Sequence, residues 1–334
     1  MSFVPDIRLA AIAACVGLSF GSPAWAETTI CDGGGAAGSG AGKISAVPFT
    51  VSAPGVYCLT QKISSTLASG AAITINANNV VLDLNGYAIG NLAAGASTAA
   101  VGIYAVDRQN IVVKNGILRG FWMGIGLVDG TTVGLSTALS SGHVIDGITT
   151  DTCYLAGMDV EGPYAVVRNS KVMNTQGSAV ATSTGLVDLA MGISVYGADT
   201  HVVDNTVINT DCTNGCASTL ANPATVIGIS VSDSSSSVIE NNTISNAKAT
   251  TVGNLGNGAA SVAIAVYQLA GFAPAVNVFV INNQMMNWDY GIYYIPAGTG
   301  TANATGDFLM NGTQTVTFPY TGGTNINLGS GMNF

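Results

Sequence analysis

The phrase GISVYGADTHVVDNTVINT at 192–210 returns as GISVSDSSSSVIENNTISN at 228–246. A fixed-period echo constrains a fold strongly, because every copy must solve the same structural problem. Gly-apolar-x-apolar stands at Gly102, Gly124, Gly157, Gly192, Gly228 and Gly291, with looser copies at Ala72 and Ala263. It recurs roughly every 22–36 residues, within the range of solenoid repeats. A second phrase, Val/Ile-x-Asn-x-Val/Ile, follows most anchors. It reads VKNGI at 113–117, VDNTV at 203–207, IENNTI at 239–244 and VINNQM at 280–285, with variants VLDLNGYAI at 81–89 and VRNSKV at 167–172.

Each phrase alternates apolar and polar residues with period two, which predicts short strands. No capped, helix-periodic run appears beyond the first 26 residues. Three short strands per turn, stacked on copies of themselves over about eight turns, make an all-β parallel solenoid. Asn between strands tolerates the left-handed backbone of a sharp bend, and stacked Asn side chains can hydrogen-bond along the column. The Gly before each first strand suits a tight corner. Ile103, Ile125, Met158, Ile193, Ile229, Ile264 and Ile292 should share one interior column.

Composition narrows the function. Only 8% of the 334 residues are charged, 48% are hydrophobic and 43 are Gly. A net charge of −9 argues against a nucleic-acid partner, which wants a Lys/Arg-rich face. The apolar content suffices for a large core, so disorder is not the explanation of the low charge. Residues 1–26 read as a signal peptide: Arg8, then LAAIAACVGLSF, then GSPAWA with Ala24-Trp25-Ala26 at the cleavage site. This predicts a secreted or periplasmic protein; a lipidation box at Ile12–Cys15 is a looser alternative. No later stretch is apolar enough to span a bilayer. Export permits disulfides. Cys212 and Cys216 would close a tight loop, Cys31 and Cys58 would tie down the Gly-rich start, and Cys153 would remain a buried thiol. No His accompanies a Cys pair at zinc spacing.

The GISV…VIENNTISN pattern resembles the right-handed parallel β-helix repeats of the pectin-lyase-like superfamily. PFTVSAPGVYCLTQKIS followed by ITINANNVVLDLNGYAIG is similar to the entry into such helices in exported bacterial proteins. The resemblance implies a Gly-rich N-terminal cap at 27–49, a β-helix domain at 50–300 and a C-terminal end at 301–334. It makes Gly-Ile-x-Val the first strand of each turn. It also makes the long loops at 173–191, 209–227 and 245–262 the walls of a groove over the first-strand sheet, where a sugar chain would lie.

In each first strand the residues after Gly point alternately in and out. The outward pairs are Thr74/Asn76, Tyr104/Val106, Gly126/Val128, Asp159/Glu161, Ser194/Tyr196, Ser230/Ser232, Ala265/Tyr267 and Tyr293/Ile295. Only Asp159 and Glu161 supply two carboxylates, and Tyr196 should lie one strand spacing, about 4.8 Å, from Glu161. These three are the catalytic candidates. Tyr104, Trp122, Tyr267, Trp288, Tyr290 and Tyr293 are candidate sugar contacts, because an aromatic ring with a polar tip suits a sugar face.

Other signatures of the superfamily are missing. Asn209-Thr210-Asp211 is out of place for a polygalacturonase motif, and Asp-Asp, Gly-His-Gly and Asp-Pro-His are absent. A pectate-lyase mechanism needs a basic residue on the groove; Arg108 and Arg119 are the nearest, while Arg168 and Lys171 fall on other faces. His143 and His201 lie in turns and read as solvated. Two classes of function remain. One is an exported polysaccharide lyase or hydrolase, with calcium as the cofactor that paired acids could hold. The other is a non-catalytic secreted or surface β-helix that binds glycan or serves as an adhesive or structural rod. Either is expected to be monomeric with a glycan as partner. Ice binding would need a regular Thr-x-Thr array, which no face supplies.

Overall fold

The computed structural model describes residues 41–130, 139–178, 190–213, 225–232, 235–246, 260–267, 276–295, 305–309, 311–321 and 325–327. These residues form one parallel β-helix. Twenty-six strands join a single hydrogen-bonded ladder, and all the pairings quoted below are parallel. The one helical element among them is a 3₁₀ turn at Leu92–Ala94. No described helix is long and apolar enough to cross a membrane.

The strands stack into three faces. The first face carries Phe49–Val51, Ala71–Ile75, Val101–Val106, Met123–Val128, Ala156–Glu161, Ala190–Tyr196, Thr225–Ser232 and Ala260–Tyr267, then the ends of Gln284–Ile295 and Gly312–Thr321. That is ten rungs, more than the about eight turns expected, because turns without a Gly-Ile phrase pair equally well. The ladder also includes strands on either side of 50–300. Ala41–Ile44 pairs with Gly55–Leu59, and Asn325–Asn327 pairs with Thr305–Leu309.

The interior column is as the alternation predicts. Ile73, Ile103, Ile125, Met158, Ile193, Ile229, Ile264 and Ile292 lie in successive register and are buried in one continuous core. Val, Ile and Leu from the other two faces close that core. Burial on this scale is the main favourable term for folding. The anchor glycines serve close approach of backbones. A Cβ on Gly124, Gly157 or Gly228 would lie 2.5–2.7 Å from the carbonyl oxygen of the next turn. Their backbones are not left-handed, so the corner argument for these glycines is replaced by a packing one.

The Asn phrase divides its two tasks between neighbouring residues. Asn169, Asp204, Asn241 and Asn282 take the left-handed conformation, with φ of 50–58°. The next residue in each turn, Ser170, Asn205, Asn242 or Asn283, points inward and is buried. Asn242 Oδ1 accepts from the backbone N–H of Asn205 (2.9 Å) and from its side-chain amide (3.1 Å). Asn242 Nδ2 in turn donates to the Val202 carbonyl (2.8 Å) and to Asn283 Oδ1 (2.9 Å). Asn283 repeats the pattern onto Asn311. The ladder thus satisfies backbone groups that the corner removes from sheet pairing.

Cys58 and Cys212 are disulfide-bonded, while Cys31 and Cys216 lie outside the described residues, as does the 1–26 segment. The pairing of Cys31 with Cys58 and of Cys212 with Cys216 remains a proposal. Cys153 is a buried free thiol, and burial pushes its pKa up to about 12. Asn242→Ala should destabilise the protein by about 2–4 kcal/mol, since it strips partners from the Asn205 N–H and the Val202 carbonyl. Urea unfolding checks this; a loss under about 0.5 kcal/mol would contradict the ladder's role. Replacing Ile193 with Asp would bury an unpaired charge in the column and should abolish cooperative unfolding.

Candidate functional site

The first-face register assembles the candidate site. Thr74, Tyr104, Gly126, Asp159, Ser194, Ser230, Ala265 and Tyr293 form one column, in that order. Glu161 pairs directly with Tyr196. Gly126 separates Tyr104 from Asp159, and its missing side chain has a consequence. Met123 Cε and the Tyr104 ring border that space, since a Cβ on Gly126 would lie 3.2 Å from Met123 Cε and 3.3 Å from Tyr104 Cδ2. The charges of Glu161 and Asp159 both act on the Tyr104 phenol.

The acids perturb one another. Burial, followed by the Asp159 charge, pushes the Glu161 carboxyl up to about 8; the Asp129 N–H opposes this, and the charges of Asp129 and Asp107 add to it. Glu161 is 8% exposed, and its Oε2 accepts the Asp129 N–H at 2.6 Å. Burial also raises Asp159, to about 6, against a weaker pull from Ser194. The residue as a whole keeps some exposed surface, but its Oδ1 is sealed from solvent. Burial of that atom is what sets the shift. Ser194, in register beside Asp159, is the hydrogen-bonding group that opposes the shift. Burial raises the Tyr104 phenol too, reinforced by Glu161, Asp107 and Asp159. Two neighbouring carboxyls that differ in environment and feel one another's charge are suited to acid–base chemistry.

The expected open groove floor is not observed along its whole length. Ser194, Ser230, Ser232 and Ala265 are buried. Surface remains at Tyr104, Val128, Asp129, Asp159 and Tyr196, which are half-buried. The loops expected to wall the groove lie largely outside the described residues. The aromatic candidates divide. Trp288 is 1% exposed and belongs to the main core, donating its indole N–H to the Ile244 carbonyl at 3.2 Å. Gln284–Ile295 is one continuous strand, and left-handed Asn287 within it turns Trp288 inward, so it is not a surface contact. Trp122 donates to Ser178 Oγ (3.1 Å). With Tyr104, Tyr290 and Tyr293, it packs against a second apolar cluster of Val101, Met123, Leu155, Ala156, Met191, Ile227, Val262 and Ala265. Tyr290 and Tyr293 stack, with ring centroids 5.1 Å apart. These two lie several turns from the acids. The Tyr267 backbone pairs with Ser232, and its side chain lies outside the described set.

His143 is not solvated. It is 1% exposed, accepts the Ile111 N–H on Nδ1 (3.3 Å) and so donates from Nε2 to Ser140 Oγ (2.8 Å). Burial pushes its pKa down to about 4, leaving it neutral. Ser140 connects to the site: its N–H and that of Leu139 donate to Asp129 Oδ2 (3.1 and 2.7 Å). Asp107 Oδ1 accepts the Gly130 N–H at 2.7 Å. The sequence reading missed Asp107, Asp129 and Ser140 because the register count stopped at the strand end; Asp107 and Asp129 each follow it by one residue. His201 is exposed, as expected. Arg119 and Arg168 are engaged elsewhere, with Asp151 (2.7 Å) and Asp146 (2.9 Å). No group of three or more acidic, His or Cys side chains is placed to share a metal ion among the described residues.

The sequence matches no protein-family model and no curated protein. Among solved structures, the Dettilon tailspike protein is similar over 83% of this chain, at 16% identity and a TM-score of 0.37. The catalytic domain of a GH87 α-1,3-glucanase in complex with tetrasaccharides is similar over 83%, at 14% identity and a TM-score of 0.26. The chain spans 60% of the former structure and 61% of the latter. At these scores neither likeness says what this chain does.

A raised folded-state pKa means the native protein holds its protons longer than the unfolded chain does. The stability Asp159 and Glu161 contribute is thus complete at acid pH and is lost as pH rises through their folded values of about 6 and about 8, respectively. The charges of Asp107 and Asp129 also act on Glu161, and that of Asp107 on Tyr104. Glu161→Gln should therefore match the wild type at about pH 5 and exceed its melting temperature by several degrees at about pH 9. A gap that is constant with pH would contradict the buried pair.

Proposed function

We propose that the protein is an exported, carbohydrate-directed β-helix of the pectin-lyase-like kind. In this reading Asp159 and Glu161 act as an acid–base pair on a glycosidic bond. The observation that carries the reading is the pair itself: two neighbouring outward carboxyls, both desolvated, with unequal raised pKa values. At neutral pH Glu161 keeps its proton and can protonate a leaving oxygen, while Asp159 is the more ionised and can activate water. Residues i and i+2 on one strand have Cα atoms roughly 6.5–7 Å apart. A backbone spacing of this size is compatible with the about 6.5–9.5 Å between carboxyls that inverting hydrolases use.

Hydrolysis is preferred to elimination. A lyase needs a base near neutral pH together with charge neutralisation of a uronate; of the two arginines expected to help, Arg119 is held by Asp151 and Arg108 is not among the groups acting on either acid. Tyr104, bordering Gly126, and Tyr196, beside Glu161, flank the pair and would contact the sugar. Non-catalytic glycan binding is the second reading, favoured by the burial of Glu161 to 8% exposure. Secretion to the periplasm or beyond rests on the N-terminal sequence.

Assay of the purified protein against a panel of polysaccharides tests this. Asp159→Asn and Glu161→Gln should each lower cleavage by about 100-fold or more. The pH profile should be bell-shaped, with limbs set by the pair rather than by either residue alone. Full activity in the double variant would overturn the assignment, and binding without cleavage in the wild type would favour the second reading.

A further inference from the structure

Residues 139–143 form the corner that leads into the strand Val144–Asp151, and neighbouring turns hold it on both sides. Towards the previous turn, Ser141 donates its N–H to the Arg108 carbonyl (3.2 Å), and its own carbonyl accepts the Asn110 N–H (2.9 Å). Towards the next turn, Gly142 donates to the Pro163 carbonyl (2.9 Å), and the His143 carbonyl accepts the Val166 N–H (2.8 Å). The Ser140 carbonyl lies against Gly162, where a Cβ would collide with it. Gly162 directly follows Glu161, so this corner packs on the backbone that carries the acid.

Inside the corner sit two buried polar side chains, His143 and Ser140, each 1% exposed. A Ser–His contact of 2.8 Å would suit a nucleophile if the imidazole could take the hydroxyl proton. The tautomer rules that out. The Ile111 N–H donates to Nδ1, so neutral His143 carries its proton on Nε2 and donates it to Ser140 Oγ. His143 therefore acts on the position of Ser140, not on its reactivity. The chain of bonds continues to the acid. The Ser140 and Leu139 N–H groups converge on Asp129 Oδ2, and the Asp129 N–H donates to Glu161 Oε2 at 2.6 Å. Burial and then the charges of Asp159, Asp129 and Asp107 raise the Glu161 pKa, and this N–H opposes them by favouring the ionised form.

We propose that His143 is a positioning residue for Glu161: its Nε2-protonated ring fixes Ser140, Ser140 fixes Asp129, and Asp129 aims the N–H that orients the carboxyl. This rests on the acid role proposed for Glu161 above. An acid that swings away from its leaving oxygen loses rate steeply, since a displacement of about 1 Å can cost about 100-fold. The relay needs a neutral ring. A protonated His143 would turn an Nδ1–H towards the Ile111 N–H, setting donor against donor. Burial keeps the ring neutral down to about pH 4.

The Glu161 titration, followed by NMR of its labelled side-chain carboxyl, tests this without substrate; cleavage assays judge the acid role separately. His143→Asn keeps an acceptor for the Ile111 N–H and removes the donor to Ser140. Ser140→Ala removes the acceptor of that bond and keeps the Ser140 N–H. Each should raise the Glu161 step by about 0.5–1 pH unit, because a loosened Asp129 N–H supports the carboxylate less. The two shifts should not add in the double variant, since both break the same link. His143→Gln, whose side-chain amide can replace the Nε2 donor, should return the step to within about 0.2 pH unit of the wild type. Thermal melting confirms that each variant folds, and if a His143 variant does not, Ser140→Ala decides alone. A lowered melting temperature with the Glu161 step unmoved would make the two residues structural only and overturn the proposal. Fully additive shifts would also overturn it, because the two residues would then act on Glu161 by separate routes.

Discussion

Everything in this structure depends on each turn lying flat on the next at strand spacing. A parallel stack forces equivalent residues into columns, so a residue that fits at one level must fit at all of them. At the start of the first strand the backbones approach so closely that the carbonyl of the next turn occupies the place of a Cβ, and Gly124, Gly157 and Gly228 answer with no side chain. At the next corner the chain must turn through a left-handed residue and still satisfy its peptide groups. Asn241 makes the bend and Asn242 supplies the bonds. Glycine and asparagine thus mark where sheet pairing alone cannot hold the backbone, and the Ile column fills the volume they enclose.

The same stacking shapes the site. Interior columns tolerate little variation, because every change is felt by the neighbours above and below. Outward columns are less constrained, and chemistry is concentrated there. One turn places Asp159 and Glu161 outward; the turn before contributes Gly126, and the turn before that Tyr104, whose ring borders the glycine. The turn after contributes Ser194 and Tyr196. Four consecutive turns therefore place a phenol, a gap, two carboxyls and a hydroxyl along one line. The loop end of the same face adds the Asp129 N–H to Glu161, with Ser140 and His143 bracing it from behind.

Period and alternation carried the fold and the register, because those depend on contacts between equivalent positions that the repeat itself exhibits. The interior column from Ile103 to Ile292 and the pairing of Glu161 with Tyr196 were legible for that reason. What the repeat does not encode is what lies over its outer face. Ser194 and Ser230 alternate like solvent-facing residues yet are buried, and Glu161 looks like a solvated acid until its surroundings are known. Trp288 misled for a related reason: a continuous strand crossing the corner at Asn287 shifts the phase of the alternation, and only the backbone shows it. His143 sits in a turn, where solvation is the ordinary expectation, but the Ile111 N–H and the Ser140 hydroxyl enclose it.

The central claim is that Asp159 and Glu161 are a desolvated pair whose titrations are coupled, both held above the usual carboxylate range. Carbon-13 NMR titration of selectively labelled side-chain carboxyls, assigned with Asp159→Asn and Glu161→Gln, measures this without any substrate. The account predicts two coupled steps, both above the usual carboxylate range, with the upper one extending past neutrality and disappearing in the Glu161 variant. Two independent steps near the ordinary values of about 4 would contradict it.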